Sequence, residues 1–427
     1  MTELQLGYGD GSLTFDFPDD SYQVLTRSDD RHPALTDVQI GEALSAPIAS
    51  PLLEDLISAG DSVLLVVSDA TRATASGQIL NLLIRRLIQT GVSSADVAII
   101  FATGIHRPVT AAEKVQLLTP FIAQRVKTID HDARDASQMI TLGQTDRGTP
   151  VEVNRALKDY DHTVITGGLG FHYFAGFTGG RKSICPGLAS ANTIEATHML
   201  ALDFERGGRR AGVGTALLDG NAVHEECERI AALLEPRFGI NTVVNEHGQA
   251  TRVFAGHWRE AHRAGCGDYL ANHSLPIEQK RDLVIVACGG SPYDINLVQA
   301  HKALEMASHA CNVGGAIVLL AECRDGLGQP QFLKWLDEKN APALEQRLRQ
   351  TYEVNGQTAW SLLSKAERYR IYLVSNLPEE QVVRMRMRPA TTLQHALDEA
   401  GETAPGYIMP HGARFLPVAV ARPPRMT

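Results

Sequence analysis

The sequence predicts an α/β protein of two domains, each built on a mainly parallel sheet. Three observations lead there. Short apolar runs rich in Val, Ile and Leu recur between stretches of helical period, the pattern of strands buried on both faces and covered by helices. The 427-residue length suits two or three domains. Two series of such runs are separated by polar text around Leu270 to Lys280. We therefore place the boundary between residues 275 and 276, giving domains 1–275 and 276–427 with an active-site cleft expected between them.

The elements follow in order. Asp61 opens the run DSVLLVVSD, a buried strand, and the periodic stretch Ile79 to Ile88 reads as a helix. Asp96 opens a second strand, DVAIIFATG, and Thr110 with Glu113 forms a capping box that starts the next helix. A third strand begins at Asp161. The second series runs through a strand from Asp282, a helix from Ile295 to Ala310, and strands from Ala316 and Tyr369.

Composition narrows the function classes. With 44% hydrophobic and 21% charged residues the chain is an ordinary globular protein, not a disordered one. A formal net charge of -9 argues against a general nucleic-acid binder. The six cysteines never fall at CxxC spacing, which disfavours a zinc ribbon or a thioredoxin-type site and suits a reducing cytoplasm. The first twenty residues are acidic and lack an apolar core, and no run approaches the 18 apolar residues of a membrane span. The expectation is a cytoplasmic protein with no membrane or nucleic-acid partner.

In parallel sheets, ligands bind beyond the carboxyl ends of strands. Four such places are chemically loaded: SDATR, ATGIHRP, the glycine-rich GGLGFHYFAGFTGGRKSICPG from Gly167, and GGSPYDINLVQAHK. In the glycine-rich loop, Gly179 and Gly180 let backbone approach a ligand, and Arg181 and Lys182 add charge for an anion. The alternative is a solvated basic loop. A Walker A loop fails because Arg181 precedes the Lys-Ser pair, and a dinucleotide fingerprint fails because Tyr173 stands where a third glycine is needed. His106, His172 and His198 lie at or near strand ends; each alone reads more readily as structural, but together they suggest acid/base or metal chemistry. His224-Glu225-Glu226-Cys227 lacks the second histidine of a zinc-protease motif. Arg72 could fork a carboxylate, and Asp69 could bind a ribose, orient Arg72 or simply cap a turn. Gln299 and Lys302 share a helix face, as anion anchors or as plain surface residues.

Taken together, SDATRAT, ATGIHRP, HYFAGFTGGRKSICPG, Thr197-His198, DGNAVHEE and INLVQAHK resemble, in order, the nickel-dependent lactate racemase family, from Asp69 to Lys302. The resemblance implies a nickel-pincer nucleotide, a pyridinium mononucleotide whose sulfur-containing arms hold nickel. It implies that Lys182 tethers this cofactor and that His198 completes the nickel coordination. His106 and His172 become the paired acid/base groups. Arg72, Gln299 and Lys302 become the carboxylate anchors, and Asp69 with Gly179, Gly180 and Arg181 becomes part of the nucleotide site. The implied reaction inverts C2 of a 2-hydroxy acid by reversible hydride transfer, with cofactor-synthesis proteins as transient partners. The chain departs from the family pattern at Val298, where a tyrosine is usual, and Trp360 is displaced from the position of a pocket tryptophan, while His301 adds polarity beside Lys302. Those changes point from lactate toward larger acids: malate, a branched or aromatic hydroxy acid, or a sugar acid such as gluconate. The rival readings are a nicotinamide-dependent 2-hydroxyacid dehydrogenase, which lacks its glycine fingerprint here, and a non-catalytic nickel or cofactor carrier, which would not need both His106 and His172.

Overall fold

The computed structural model describes residues 1–27, 33–329, 331–401 and 405–420. Its two main sheets use strands β1 (Tyr22–Val24), β2 (Val63–Ser68), β3 (Val97–Ala102), β4 (Lys127–Asp130), β5 (His162–Gly168), β6 (Phe238–Val244), β7 (Ala250–Gly256), β8 (Arg281–Ala287), β9 (Cys311–Leu320), β10 (Arg370–Val374), β11 (Arg388–Ala390) and β12 (Gly406–Met409). The helices that bear on function are α1 (Ser76–Gln89), α2 (Ala111–Arg125), α3 (Ala191–Met199), α4 (Ala222–Ala232), α5 (Leu297–Ala310) and α6 (Val354–Ala366).

The first sheet has the order β7-β6-β5-β2-β3-β4, and all its pairs are parallel except β6 with β7. The five residues from Val63 to Val67 of β2 are fully buried because helices cover both faces of this sheet. Leu65, Val67, Ile99 and Phe101 pack with Leu83 of α1 and Leu118 and Ile122 of α2 in one core. Truncating such a residue to alanine costs about 2–5 kcal/mol. Thr110 caps α2 and Glu113 closes the box in return, as the spacing predicted.

Sheet order decides which loops can meet. The chain leaves β2 toward β3 and β4 on one side, while β5 lies on the other. The gap between β2 and β5 is therefore a topological switch point, where parallel sheets open a crevice. Ser68 pairs with Ala102 and Val66 with Ile165, so β2, β3 and β5 end at one level. The loops carrying Asp69, His106 and His172 thus emerge side by side.

The second sheet, order β11-β10-β9-β8-β12-β1, is parallel throughout. Its core includes Ile285, Val318, Tyr372 and Ile408. Residues 1–27 belong here rather than to the first domain, which corrects the 1–275 assignment. The hairpin Thr2–Tyr8 with Gly11–Phe17 buries Leu6, Phe15 and Phe17 in this core, and β1 extends the sheet beside β12. One compact unit therefore holds the N-terminal segment, Leu202–Gly208 and the chain from Asn272 on; the other holds the rest. Among the described residues no helix is long and apolar enough to cross a membrane.

Candidate active site

Asp69 is the first residue beyond β2, and it is buried. Its Oδ1 accepts hydrogen bonds from the Thr71 amide at 3.0 Å and the Thr71 hydroxyl at 2.6 Å. Its Oδ2 lies 2.7 Å from Nδ1 of His106, in the loop after β3. Burial pushes the carboxyl upward, but the bonds to His106 and Thr71 and the charge of Arg72 outweigh it and hold Asp69 below the ordinary carboxylate range. An ionised Asp69 requires the proton of a neutral His106 on Nδ1. The exposed Nε2 is then a lone-pair acceptor, ready to act as a base. Asp69 thus orients His106, and both its oxygens are engaged by protein.

His172 is built the opposite way. Its Nδ1 accepts the backbone amide of Ala175 at 3.2 Å, so the neutral ring carries its proton on Nε2. Burial and the charges of Lys182, Arg72, His198 and Arg181 push its pKa well below the usual value. In their neutral forms the two rings therefore present one acceptor and one donor.

Phe174 is the hub that the sequence did not disclose. Its buried ring meets His172 edge-on at 4.4 Å and His198 at 5.0 Å, and Lys182 Nζ lies 5.6 Å from its centroid. Its carbonyl accepts from the side-chain amide of Asn221 at 2.9 Å, and Asn221 also caps α4 through Val223 and His224. The DGNAVHEE motif thereby acts through Asn221, fixing the loop that holds Phe174. The aromatic density of FHYFAGF was the available clue.

Burial, with the neighbouring charges of Arg181 and Arg72, lowers the Lys182 amine to about 7, so near neutral pH much of it is an unprotonated nucleophile. His198 sits buried near the end of α3. Burial and the Lys182 charge lower it to about 3, leaving a neutral imidazole. Its Nδ1 lies 3.3 Å from the Thr197 hydroxyl, which orients the ring and leaves Nε2 as the donor atom for a metal.

Gly179 and Gly180 hold φ of 78° and 53°, and a Cβ on Gly180 would lie 2.5 Å from the His262 ring. Only glycine fits this turn without a shift. The Arg181 guanidinium is buried and donates to the carbonyls of Ala175 at 2.7 Å and Gly179 at 3.3 Å, with His262 Nε2 at 3.0 Å from the same NH1 group as Gly179. It fastens the loop from inside. Arg72 is exposed, and its charge acts on Asp69, His172 and Lys182 alike.

Gln299 and Lys302 belong to the other unit. Asn296 caps α5, and Lys302 Nζ donates to Gln299 Oε1 at 2.5 Å, so the two form one polar pair on the helix surface. His301 is buried and meets the Ser361 hydroxyl of α6 at 3.1 Å. Trp360 is also buried, and its indole donates to Glu345 at 2.7 Å. Both are core residues of this unit.

Among the described residues no cluster of three or more His, Cys, Asp and Glu side chains could hold a metal ion. A metal beside His198 would need most of its donors from a non-protein carrier. The unprotonated amine of Lys182 and the flat apolar face of Phe174 fit such a carrier.

Comparison with known proteins follows the same lines. A family profile described as the lactate racemase N-terminal domain matches residues 8–208, and one described as the lactate racemase C-terminal domain matches residues 277–407. The chain is 31% identical over 345 residues to a lactate racemase of Thermoanaerobacterium thermosaccharolyticum, covering 80% of this chain and 79% of that protein. It is 29% identical over 425 residues to a lactate racemase of Lactiplantibacillus plantarum, covering 96% and 99%. The lactate racemase apoprotein structure from T. thermosaccharolyticum matches with a TM-score of 0.89 at 28% identity, over 98% of this chain and 100% of that one. A protein of Thermotoga maritima shares the fold, with a TM-score of 0.67 at 19% identity over 91% and 99%.

Proposed function

The chain belongs to the lactate racemase family, and from that premise we propose that it inverts C2 of a 2-hydroxy acid, lactate or a larger relative. The observation that carries the reading is the pair of oppositely hydrogen-bonded imidazoles, His106 with the Asp69 carboxylate at Nδ1 and His172 with a backbone amide at Nδ1. An inversion presents the substrate hydroxyl from two sides, so it needs an acceptor and a donor rather than one base.

When bound, a nickel-pincer nucleotide supplies the hydride acceptor that spares C2 from becoming a carbanion beside a carboxylate. The chain's own residues do the rest. Lys182 offers its amine as the covalent tether, and His198 offers Nε2 to the metal. Phe174 lies along the apolar wall between them. His106 Nε2 takes the hydroxyl proton of one enantiomer, and Asp69 stabilises the imidazolium that results. In its protonated form His172 returns a proton for the other enantiomer and is left as the neutral ring. Arg72 holds the carboxylate; Gln299 and Lys302 are carboxylate anchors by family resemblance alone. The departures from the family pattern at Val298 and Trp360 support a larger acid such as malate, an aromatic or branched hydroxy acid, or gluconate. Six cysteines with no disulfide among the described residues support a cytoplasmic setting, where cofactor-synthesis proteins would meet the chain transiently.

The test has two parts. Protein made together with the cofactor-synthesis machinery should carry a mass adduct that Lys182→Ala abolishes. Single-enantiomer 2-hydroxy acids incubated in deuterated water should racemise with C2 largely unlabelled. Full racemase activity in Lys182→Ala would overturn the proposal.

A further inference from the structure

We propose that Asn221 is a positioning residue for His172, acting through the peptide bond between Phe174 and Ala175. His172 opens a tight turn in which Phe171–His172 pairs antiparallel with Gly176–Phe177. The side-chain amide of Asn221 donates to the Phe174 carbonyl at 2.9 Å. From the same peptide unit, the Ala175 N–H donates to His172 Nδ1 at 3.2 Å. In a trans peptide the C=O and N–H point in opposite directions. A donor fixed on the carbonyl therefore keeps the N–H aimed at the ring. It also polarises the peptide and strengthens that N–H as a donor. The Phe174 amide, 3.5 Å from the same ring nitrogen, adds a weaker second contact.

Asn221 is itself held so that only its NH2 group meets the turn. It is buried, and its Oδ1 accepts the amides of Val223 at 3.1 Å and His224 at 3.2 Å. Its Nδ2 gives a further hydrogen to the Leu217 carbonyl at 2.9 Å. A flipped carboxamide would set oxygen against two carbonyls and NH2 against two amides. The next carbonyls of the turn are taken as well: Ala175 by the Arg181 guanidinium at 2.7 Å and Gly176 by the Ala216 amide at 3.1 Å. A Cβ on Gly176 would lie 2.0 Å from the Leu217 carbonyl oxygen, so the chain that leads into Asn221 presses directly on the turn.

Asp69 and Asn221 thus stand behind the two imidazoles in opposite senses. The Asp69 carboxylate meets Nδ1 of His106 directly, whereas Asn221 sends an N–H to Nδ1 of His172 through one peptide. Capping α4 does not require that second function. Serine caps a helix as well as asparagine does, but its hydroxyl ends where the Asn221 carboxamide carbon stands, short of the Phe174 carbonyl. The catalytic consequence rests on the racemase reading; the hydrogen-bond relay does not.

The test is nitrogen-15 NMR of the full-length cofactor-free chain with labelled histidine, the His172 signals being those lost in His172→Gln. In the wild-type chain Nδ1 should be the bare nitrogen and Nε2 the protonated one. In Asn221→Ser the ring should sample both tautomers, and its two nitrogen shifts should move toward each other. Asn221→Ala should do the same and melt below Asn221→Ser, since it loses the cap too. In loaded enzyme both variants should lose about 10-fold or more in kcat with KM little changed. A protonated Nδ1 in the wild-type chain overturns the inference and needs no variant. Unchanged His172 shifts in Asn221→Ser overturn it as well, and so does a loss of kcat that follows melting temperature instead of the tautomer. The expected shifts in a loaded wild-type protein that racemises nothing would sustain the relay and count against the racemase reading alone.

Discussion

The Asp69 carboxylate approaches Nδ1 of His106 at 2.7 Å, and it is the group that fixes which nitrogen of that ring can accept a proton. An amide at position 69 keeps the shape but can present an N–H to His106, favouring the tautomer with the proton on Nε2. Asp69→Asn should therefore lower kcat by about 100-fold or more, equivalent to roughly 2.7 kcal/mol or more of transition-state stabilisation. Thermal stability should fall as well, because the lowered pKa of Asp69 means the folded state favours its charge. An unchanged kcat in the loaded enzyme would remove Asp69 from the mechanism.

A second expectation concerns the Lys182 amine. Burial and the adjacent guanidinium of Arg181 hold the Lys182 amine at about 7. Only the unprotonated amine reacts with acylating reagents. Labelling of Lys182 should therefore rise with pH through a midpoint near 7, well below that of a surface lysine. Arg181→Gln removes a neighbouring positive charge, so the ammonium becomes easier to form and the midpoint should move up. Peptide-resolved labelling across pH measures both values in the absence of cofactor.

The strands were legible because burial on both faces leaves continuous apolar runs such as VLLVV, and α2 was legible because Thr110 and Glu113 announce its start. The loops after β2, β3 and β5 could be marked as functional from sheet logic alone. Orientation was not legible. Nothing in GGRKS says that Arg181 folds back onto the carbonyls of Ala175 and Gly179 while its neighbour Lys182 does not. Asp69 and His106 lie 37 residues apart, so their contact exists only once β2 and β3 pair. The three residues of β1 are too few to show a period, which hid the return of the N-terminal segment to the second sheet.

Buried histidines set the acid limit of the fold. Burial first, with other groups acting on each, lowers His131 to about 4 and His262 to about 3, against 6.5 for a free ring. Below about 6.5 the unfolded chain takes up protons that the folded chain refuses, so unfolding is favoured as pH falls. Stability is thus fully present above 6.5 and is lost toward pH 4. Each such ring contributes at most about 1.4 kcal/mol per pH unit in that window. Urea midpoints at several pH values should fall on acidification, and His131→Gln should flatten the slope. A stability that stays level between neutrality and pH 4 would contradict the buried neutral rings.

The loop turn at Gly180 makes a steric claim. With φ at 53° and the His262 ring 2.5 Å from a would-be Cβ, alanine there is both strained and overpacked. Gly180→Ala should cost about 2–4 kcal/mol, roughly 1 from the left-handed backbone and the rest from the clash. Adding His262→Ala opens the space, so the double variant should be more stable than the two single costs add up to. Denaturant unfolding of all four proteins gives the coupling directly. Simple additivity would place the His262 ring elsewhere.

The opposite tautomers of the two histidines lead to a kinetic asymmetry. A neutral His106 accepts at Nε2, whereas a neutral His172 holds a proton there because the Ala175 amide occupies its other nitrogen. On the proposed mechanism racemisation in either direction passes through both rings, so loss of either should depress it in both directions, by about 100-fold to 10,000-fold. The first half of the reaction should nevertheless separate the variants. His106→Gln should fail to take the hydroxyl proton from one enantiomer, while His172→Gln should still do so. Rapid-mixing spectroscopy of loaded enzyme with each pure enantiomer should then show a fast single-turnover change in His172→Gln with one hand of substrate only. Equal loss of that phase with both enantiomers in both variants would mean that the two rings are not arranged as opposed partners.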